Sequence, residues 1–177
     1  MRITENQLRS IVRKIIRENK RQQALDEGFF DKVKDFFKGD TKKAVEKVPS
    51  LIDALKSAYA AYAKKRGFAG KISVTKEGAM NIDITFSADG TEVYSMYLDV
   101  SEDVGVSIQN ATPMDEEAFE KVFGRAARAK FKGLKETFNK AQISSKYDAK
   151  TTSLAAVKFL EDFIKTIEEL AKNPPKN

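Results

Sequence analysis

The apolar residues of this chain change period twice, and that change limits the folds open to it. From Ile72 to Ile108 they fall on every second position: Ile72 and Val74, then Met80, Ile82, Ile84 and Phe86, then Tyr94, Met96, Leu98 and Val100, then Val104, Val106 and Ile108. Polar residues such as Asn81, Asp83 and Thr85 stand between them. A period of two puts one set of side chains on one face of a strand, so each run reads as a half-buried strand. Asp89-Gly90 is a strong signal for a two-residue hairpin turn, and Glu77-Gly78 marks another reversal. Short turns joining alternating runs predict an antiparallel four-stranded meander with one buried face.

On both sides of this stretch the spacing is helical. Thr4 is placed as an N-cap with Gln7 three residues on and Ile3 and Leu8 as a staple, predicting a helix from about Glu5 to Arg21. Phe29, Phe30, Val33, Phe36 and Phe37 share a second helical face, stopped by Gly39. Asp40 is read as the cap of a short helix carrying Ala44, Val45 and Val48 and ended by Pro49; Ser50 with Asp53 then restarts a helix bearing Leu51, Ile52, Leu55, Tyr59 and Tyr62 as far as Gly67. After the strands, Thr112-Pro113 is read as opening a helix, with proline at its first position and Asp115 at its third. Phe119, Val122, Phe123 and Ala126 are expected on its core side, followed by Phe131, Leu134 and Phe138, with Gly124 and Gly133 weakening it. Leu154, Val157, Leu160, Ile164 and Ile167 form the stripe of a last helix, and Pro174-Pro175 closes the fold before a disordered tail. The expectation is therefore an α+β protein in three parts: a leader helix and linker over residues 1–27, one domain over 28–173 with helices on one sheet face, and a tail over 174–177.

The chain offers little for catalysis. It has no cysteine and no histidine among 177 residues, which removes disulfides, thiolate sites, cysteine nucleophiles and the usual neutral-pH acid–base group. Asp99, Ser101 and Asp103 open like a calcium loop, but Val104 stands where that loop needs glycine and Asn110 where it needs glutamate, so a polar turn is the expected role. Asp115, Glu116 and Glu117 lie where negative charge favours the start of a helix, which explains them without acid–base work. No phosphate loop, nucleophile elbow or dinucleotide fingerprint is present. No catalytic residue, metal site or cofactor is expected, and the protein is read as not an enzyme. No apolar run approaches the length that spans a bilayer, and Arg9, Arg13, Lys14 and Arg17 interrupt the N-terminal stripe, unlike a secretory signal.

Net charge is +6, from 32 basic and 26 acidic residues. Residues 1–27 carry seven basic and four acidic side chains, so half of the excess lies in the leader. Its apolar stripe, Leu8, Ile11, Val12, Ile15 and Ile16, is the expected partner-docking surface. Peripheral membrane or partner-helix docking through residues 3–21 is an alternative use of the same stripe, and packing on its own domain is a third. A second basic segment, Arg125, Arg128, Lys130, Lys132 and Lys135, interleaved with Phe131 and Phe138, is a candidate nucleic-acid contact around Arg125–Lys140; the competing reading is a solvated helix face whose phenylalanines belong to the core.

The opening run from Met1 to Arg13, Met-Arg-Ile-Thr-Glu-Asn-Gln-Leu-Arg-Ser-Ile-Val-Arg, resembles N-terminal peptides on proteins of tailed marine bacteriophages. In T4-like phages, short amphipathic leaders act as capsid-targeting sequences that carry proteins into the prohead, where a maturation protease removes them after a Leu/Ile-x-Glu pattern. Leu25-Asp26-Glu27 before Gly28 fits that pattern, and so does Ile16-Arg17-Glu18. The resemblance covers about 27 residues and implies a phage head protein, located in the virion or the host cytoplasm, with capsid or scaffold proteins as partners and a cut after Glu27.

Overall fold

The computed structural model describes residues 41–77, 81–101 and 105–175, all within the second of two units, Gly39–Asn177, into which chain contacts divide the molecule. The leader stripe, the Glu27-Gly28 step, the Phe29–Phe37 run, Met80, Asp103 and Val104 lie outside the described residues. The elements in chain order are α1 (Thr41–Arg66), β1 (Gly70–Glu77), β2 (Asn81–Ala88), β3 (Thr91–Ser101), β4 (Gly105–Pro113), α2 (Glu116–Phe123), α3 (Arg125–Ser144) and α4 (Ala149–Lys172). The protein is α+β, with one antiparallel sheet in the order β1-β2-β3-β4.

The expected alternation sets the sheet's two faces. Register pairs Ile72 with Phe86 and Val74 with Ile84, then Ile84 with Met96 and Phe86 with Tyr94, then Leu98 with Ile108 and Val100 with Val106. All of these side chains stand on one face, and Ile84, Phe86, Tyr94, Met96, Leu98, Val106 and Ile108 are buried there. Ser73, Thr85, Ser95 and Thr112 pair across the other face, which is polar. Asp89 and Gly90 take left-handed angles (φ 50° and 83°) at the β2–β3 turn, as a tight hairpin requires. Two register shifts, between Phe86 and Ser87 and between Tyr97 and Leu98, add one residue each to the opposing strands, Val93 and Gln109.

The helices depart from expectation at three places, each for an identifiable reason. Pro49 does not end a helix: α1 runs through it without interruption. An interior proline costs about 3 kcal/mol by removing a hydrogen bond and crowding the preceding turn. The offset is visible in the buried stripe, since Ala44, Val48, Ile52, Leu55, Tyr59 and Tyr62 keep steps of three and four across the proline. Breaking the helix there would turn half of that stripe away from α4, against which α1 packs. Each buried Val, Leu or Ile contributes about 1.5–3 kcal/mol, so two of them outweigh the proline.

Pro113 does not open a helix either. It is the last residue of β4, opposite Tyr94, and Asp115 is the N-cap of α2. Its carboxylate accepts the Ala118 N–H at 2.7 Å, which satisfies a donor the helix start would otherwise leave open. The missing N–H of Pro113 is tolerated because β4 is an edge strand. Asp148 caps α4 in the same way, accepting from Thr151 N–H at 2.8 Å, and that bond holds its carboxyl below the usual range.

Gly124 divides the segment expected to be one weakened helix into α2 and α3, whereas Gly133 stays inside α3. With φ 81° and ψ 153°, Gly124 has a backbone conformation that is essentially glycine's alone. The break changes the helical phase, so Ala127 is buried and Ala126 is exposed. It also makes room for the C-terminal segment. A Cβ at Gly124 would lie 2.7 Å from Cβ of Pro175, and Arg66 Nη1 donates to the Pro175 carbonyl at 2.8 Å. Pro175, expected from the sequence in a disordered tail over 174–177, is therefore held against the body, while residues 176–177 lie outside the described residues. Gly124→Ala combines a forbidden backbone angle with a clash; it is expected to lower stability by about 2–4 kcal/mol. Urea unfolding measures this, and a variant as stable as the parent would contradict the assignment.

Candidate functional site

A cleft of about 780 Å3 opens between the end of α1, the β2–β3 turn, α2 and the C-terminal strap. Its apolar wall comes from Phe68, Ala88, Val93, Ala118 and Val122, and its rim carries Arg66, Lys121 and Arg125 against Asp89 and Glu120. The size falls within the range of small-molecule sites. The rim charges other than Lys121, however, are committed to the fold. Arg66 reaches the Pro175 and Lys121 carbonyls (2.8 and 3.4 Å), the Asp89 carboxylate accepts the Ala69 N–H at 2.8 Å, and Glu120 takes both Arg125 and Arg128 at 3.5 Å.

Two tyrosines of α1 fix the walls of this cleft. Tyr62 donates its hydroxyl to the Val122 carbonyl at 2.5 Å, and Tyr59 donates to the Ser87 carbonyl at 3.1 Å. Tyr62 and Arg66 together satisfy carbonyls at the end of α2, where Gly124 interrupts the helical ladder. Burial raises the Tyr59, Tyr62 and Tyr94 phenols above their usual value of 10.0; for Tyr62, Arg66 partly opposes the rise.

The structure brings together four of the five basic residues expected to contact nucleic acid. Arg125, Arg128, Lys132 and Lys135 follow a step of three or four along α3, while Lys130 lies on another side and meets Glu169 of α4 at 3.5 Å. Each of the four already has a partner. Arg128 pairs with Glu116 as well as Glu120, and Lys132 lies 3.9 Å from Glu136. Lys135 is half-buried, donates to the Ile108 carbonyl at 2.9 Å and sits 5.1 Å from the Phe138 ring; burial lowers its ammonium below the usual lysine range. Phe131 and Phe138 are buried in the core, so neither ring is free to stack on a base. Two arginines face two glutamates at the start of this stripe, so a phosphate there would compete with those carboxylates.

Lys135 has a structural role that its sequence neighbourhood did not indicate. Val106 and Ile108 are two residues apart in β4, so their backbone groups point the same way. Val106 N–H donates to Ser153 Oγ of α4 at 2.9 Å, and the Ile108 carbonyl accepts from Lys135 of α3. Helix side chains thus cover part of the open edge of the sheet, one of the ways proteins prevent edge-to-edge pairing. Asp99 stands on the polar sheet face opposite Ser107, and no cluster of metal-binding side chains occurs among the described residues. No described helix is long and apolar enough to cross a membrane.

No family model matches the chain, and no curated protein or solved structure matches it either.

The tyrosines make the cleft's walls sensitive to alkali. A phenol whose pKa is raised on folding stays protonated in the native state after the unfolded state has begun to lose its proton. Its stabilisation is complete below pH 10.0 and is lost progressively as pH rises from there through the raised native value. Stability is expected to fall steeply above pH 10, with tyrosinate absorbance from these three rings appearing only as the fold is lost. Tyrosinate absorbance that rose for all five tyrosines while circular dichroism stayed native would contradict this account.

Proposed function

We propose that this chain is a non-enzymatic protein of a bacteriophage head, a structural or internal virion protein that reaches or assembles in the prohead through its N-terminal segment and is cut after Glu27. The observation that carries the proposal is the division of the chain at Lys38/Gly39, together with the phage-like opening peptide. The leader stripe from Leu8 to Ile16 and the Glu27-Gly28 step both precede the unit that holds the sheet and α1–α4. Removing residues 1–27 takes away none of those elements. An address can be discarded after delivery only if the delivered body keeps its fold, and this division of the chain supports that reading.

Other features agree with such a role. Arg125, Arg128, Lys130 and Lys135 of α3 serve ion pairs and a backbone cap, which suits a scaffold or cargo better than a reader of sequence. A covered strand edge lowers the risk of aggregation at the concentrations of a packed head. A net charge of +6 suits a compartment filled with phosphate. The expected partners are capsid or scaffold proteins that receive the Leu8, Ile11, Val12, Ile15 and Ile16 stripe.

Mass spectrometry of purified virions tests this reading. The expected result is a mature polypeptide in the particle beginning at Gly28. Absence of the protein from particles would overturn the proposal, and a chain in mature heads still beginning at Met1 would overturn the cleavage step.

A further inference from the structure

The turn between α3 and α4 collects features that neither the core nor the proposed delivery uses. Ile143 and Tyr147 are 62% and 65% exposed, and they are two of the three exposed large hydrophobic residues among those described, the third being Met114. Lys146 and Tyr147 are both left-handed, with φ 53° and 61°; the other described non-glycine residue of that kind is Asp89 in its hairpin. Neither lysine nor tyrosine favours this conformation, which glycine or asparagine adopts more readily. The turn is held by backbone bonds: Lys146 N–H to the Ile143 carbonyl at 3.0 Å, Tyr147 N–H to Gln142 at 3.0 Å and Asp148 N–H to Ser145 at 3.1 Å. The Ser145 hydroxyl adds a bond to the Gln142 carbonyl at 2.9 Å. A firmly built turn therefore presents a tyrosine ring and an isoleucine to solvent, where they add little to the core.

Lysines surround them. Lys140 is one helical turn before Ile143, Lys146 lies within the turn and Lys150 is at the start of α4; all three are exposed. Lys130, Lys132 and Lys158 on the same two helices pair with carboxylates, but Lys140, Lys146 and Lys150 enter no such pair among the described residues. Asp148 caps α4 with its carboxylate and feels the Lys150 charge, so the tip carries one acidic group beside its three lysines.

We infer that this tip is a docking point for an anionic phospholipid surface. The charge is complementary, and so is the shape. A stable protein interface needs about 800 Å2 from each partner, far more than one helix–helix turn supplies. A bilayer interface takes side chains singly: an aliphatic chain enters the acyl boundary, a tyrosine sits at headgroup level with its hydroxyl in water, and lysines reach the anionic headgroups. The inference is independent of head delivery and uses a different surface from the leader stripe.

Co-sedimentation of the full chain with phosphatidylcholine vesicles, with and without phosphatidylserine, tests it. Binding is expected only when phosphatidylserine is present, and it should weaken with added salt. The Ile143→Ser/Tyr147→Ser double variant should bind about tenfold more weakly or worse, and Lys146→Gln/Lys150→Gln should weaken binding and flatten its salt dependence. Tyr147→Gly separates docking from folding, because it relaxes the left-handed backbone: its Tm should match or exceed that of the parent while binding falls. Failure of the parent to bind anionic vesicles would overturn the inference. So would tip variants that bind like the parent, including the case in which Ile11→Ser/Ile15→Ser alone abolishes binding.

Discussion

Everything else in the described body depends on one continuous block of aromatic rings. Phe131 of α3 stacks on Phe163 of α4 with centroids 4.4 Å apart, and Phe163 touches Phe86 and Tyr94 of the sheet at 5.7 and 5.4 Å. Phe119 and Phe123 bring in α2 at 5.7 and 5.5 Å from Phe131, and Tyr62 of α1 lies parallel to Phe123 at 5.7 Å. Each helix thus contributes at least one ring to the cluster on the sheet's inner face. An aromatic side chain buries about 150–250 Å2, and a well-placed pair adds roughly 0.5–1.5 kcal/mol beyond that area. A four-stranded sheet with one apolar face must be covered, and this cluster is the main part of its cover.

That arrangement governs what the surface can do. Residues that sequence pattern would assign to a binding face are drawn into support of the core: Lys135 caps an edge carbonyl, Arg66 and Tyr62 cap the broken end of α2, and Arg125 and Arg128 neutralise Glu116 and Glu120. The basic excess on α3 then reads as structure. At the α3–α4 turn, by contrast, exposed apolar side chains, a left-handed backbone and lysines without a salt bridge coincide.

Much of this was legible in the sequence, because the signals were local. Alternation from Ile72 to Ile108 gave the strands, and Asp89-Gly90 located the hairpin. What was misread depended on distant partners. Pro49 looks like a helix end until α4 is present to reward an unbroken stripe. Pro113 looks like a helix start, but β3 holds it as the last residue of a strand and Asp115 does the capping. The strap at Pro175 could not be foreseen, because its anchors, Arg66 and Gly124, are far away along the chain. The cleft is assembled from four separate segments and leaves no mark in any one of them. The strained pair Lys146-Tyr147 carries no glycine or asparagine to announce it.

The central claim is that the unit from Gly39 onward folds by itself, so that what precedes it is separable. Thermal unfolding of the full chain beside a chain beginning at Gly39 tests this most directly, with near-ultraviolet circular dichroism reporting the packing of the rings. The account predicts a cooperative transition in both, with midpoints within a few degrees and the same aromatic signal. A shortened chain that lost its aromatic signal or unfolded without cooperativity would show that part of residues 1–38 belongs to the core, and the division at Lys38/Gly39 would have to be abandoned.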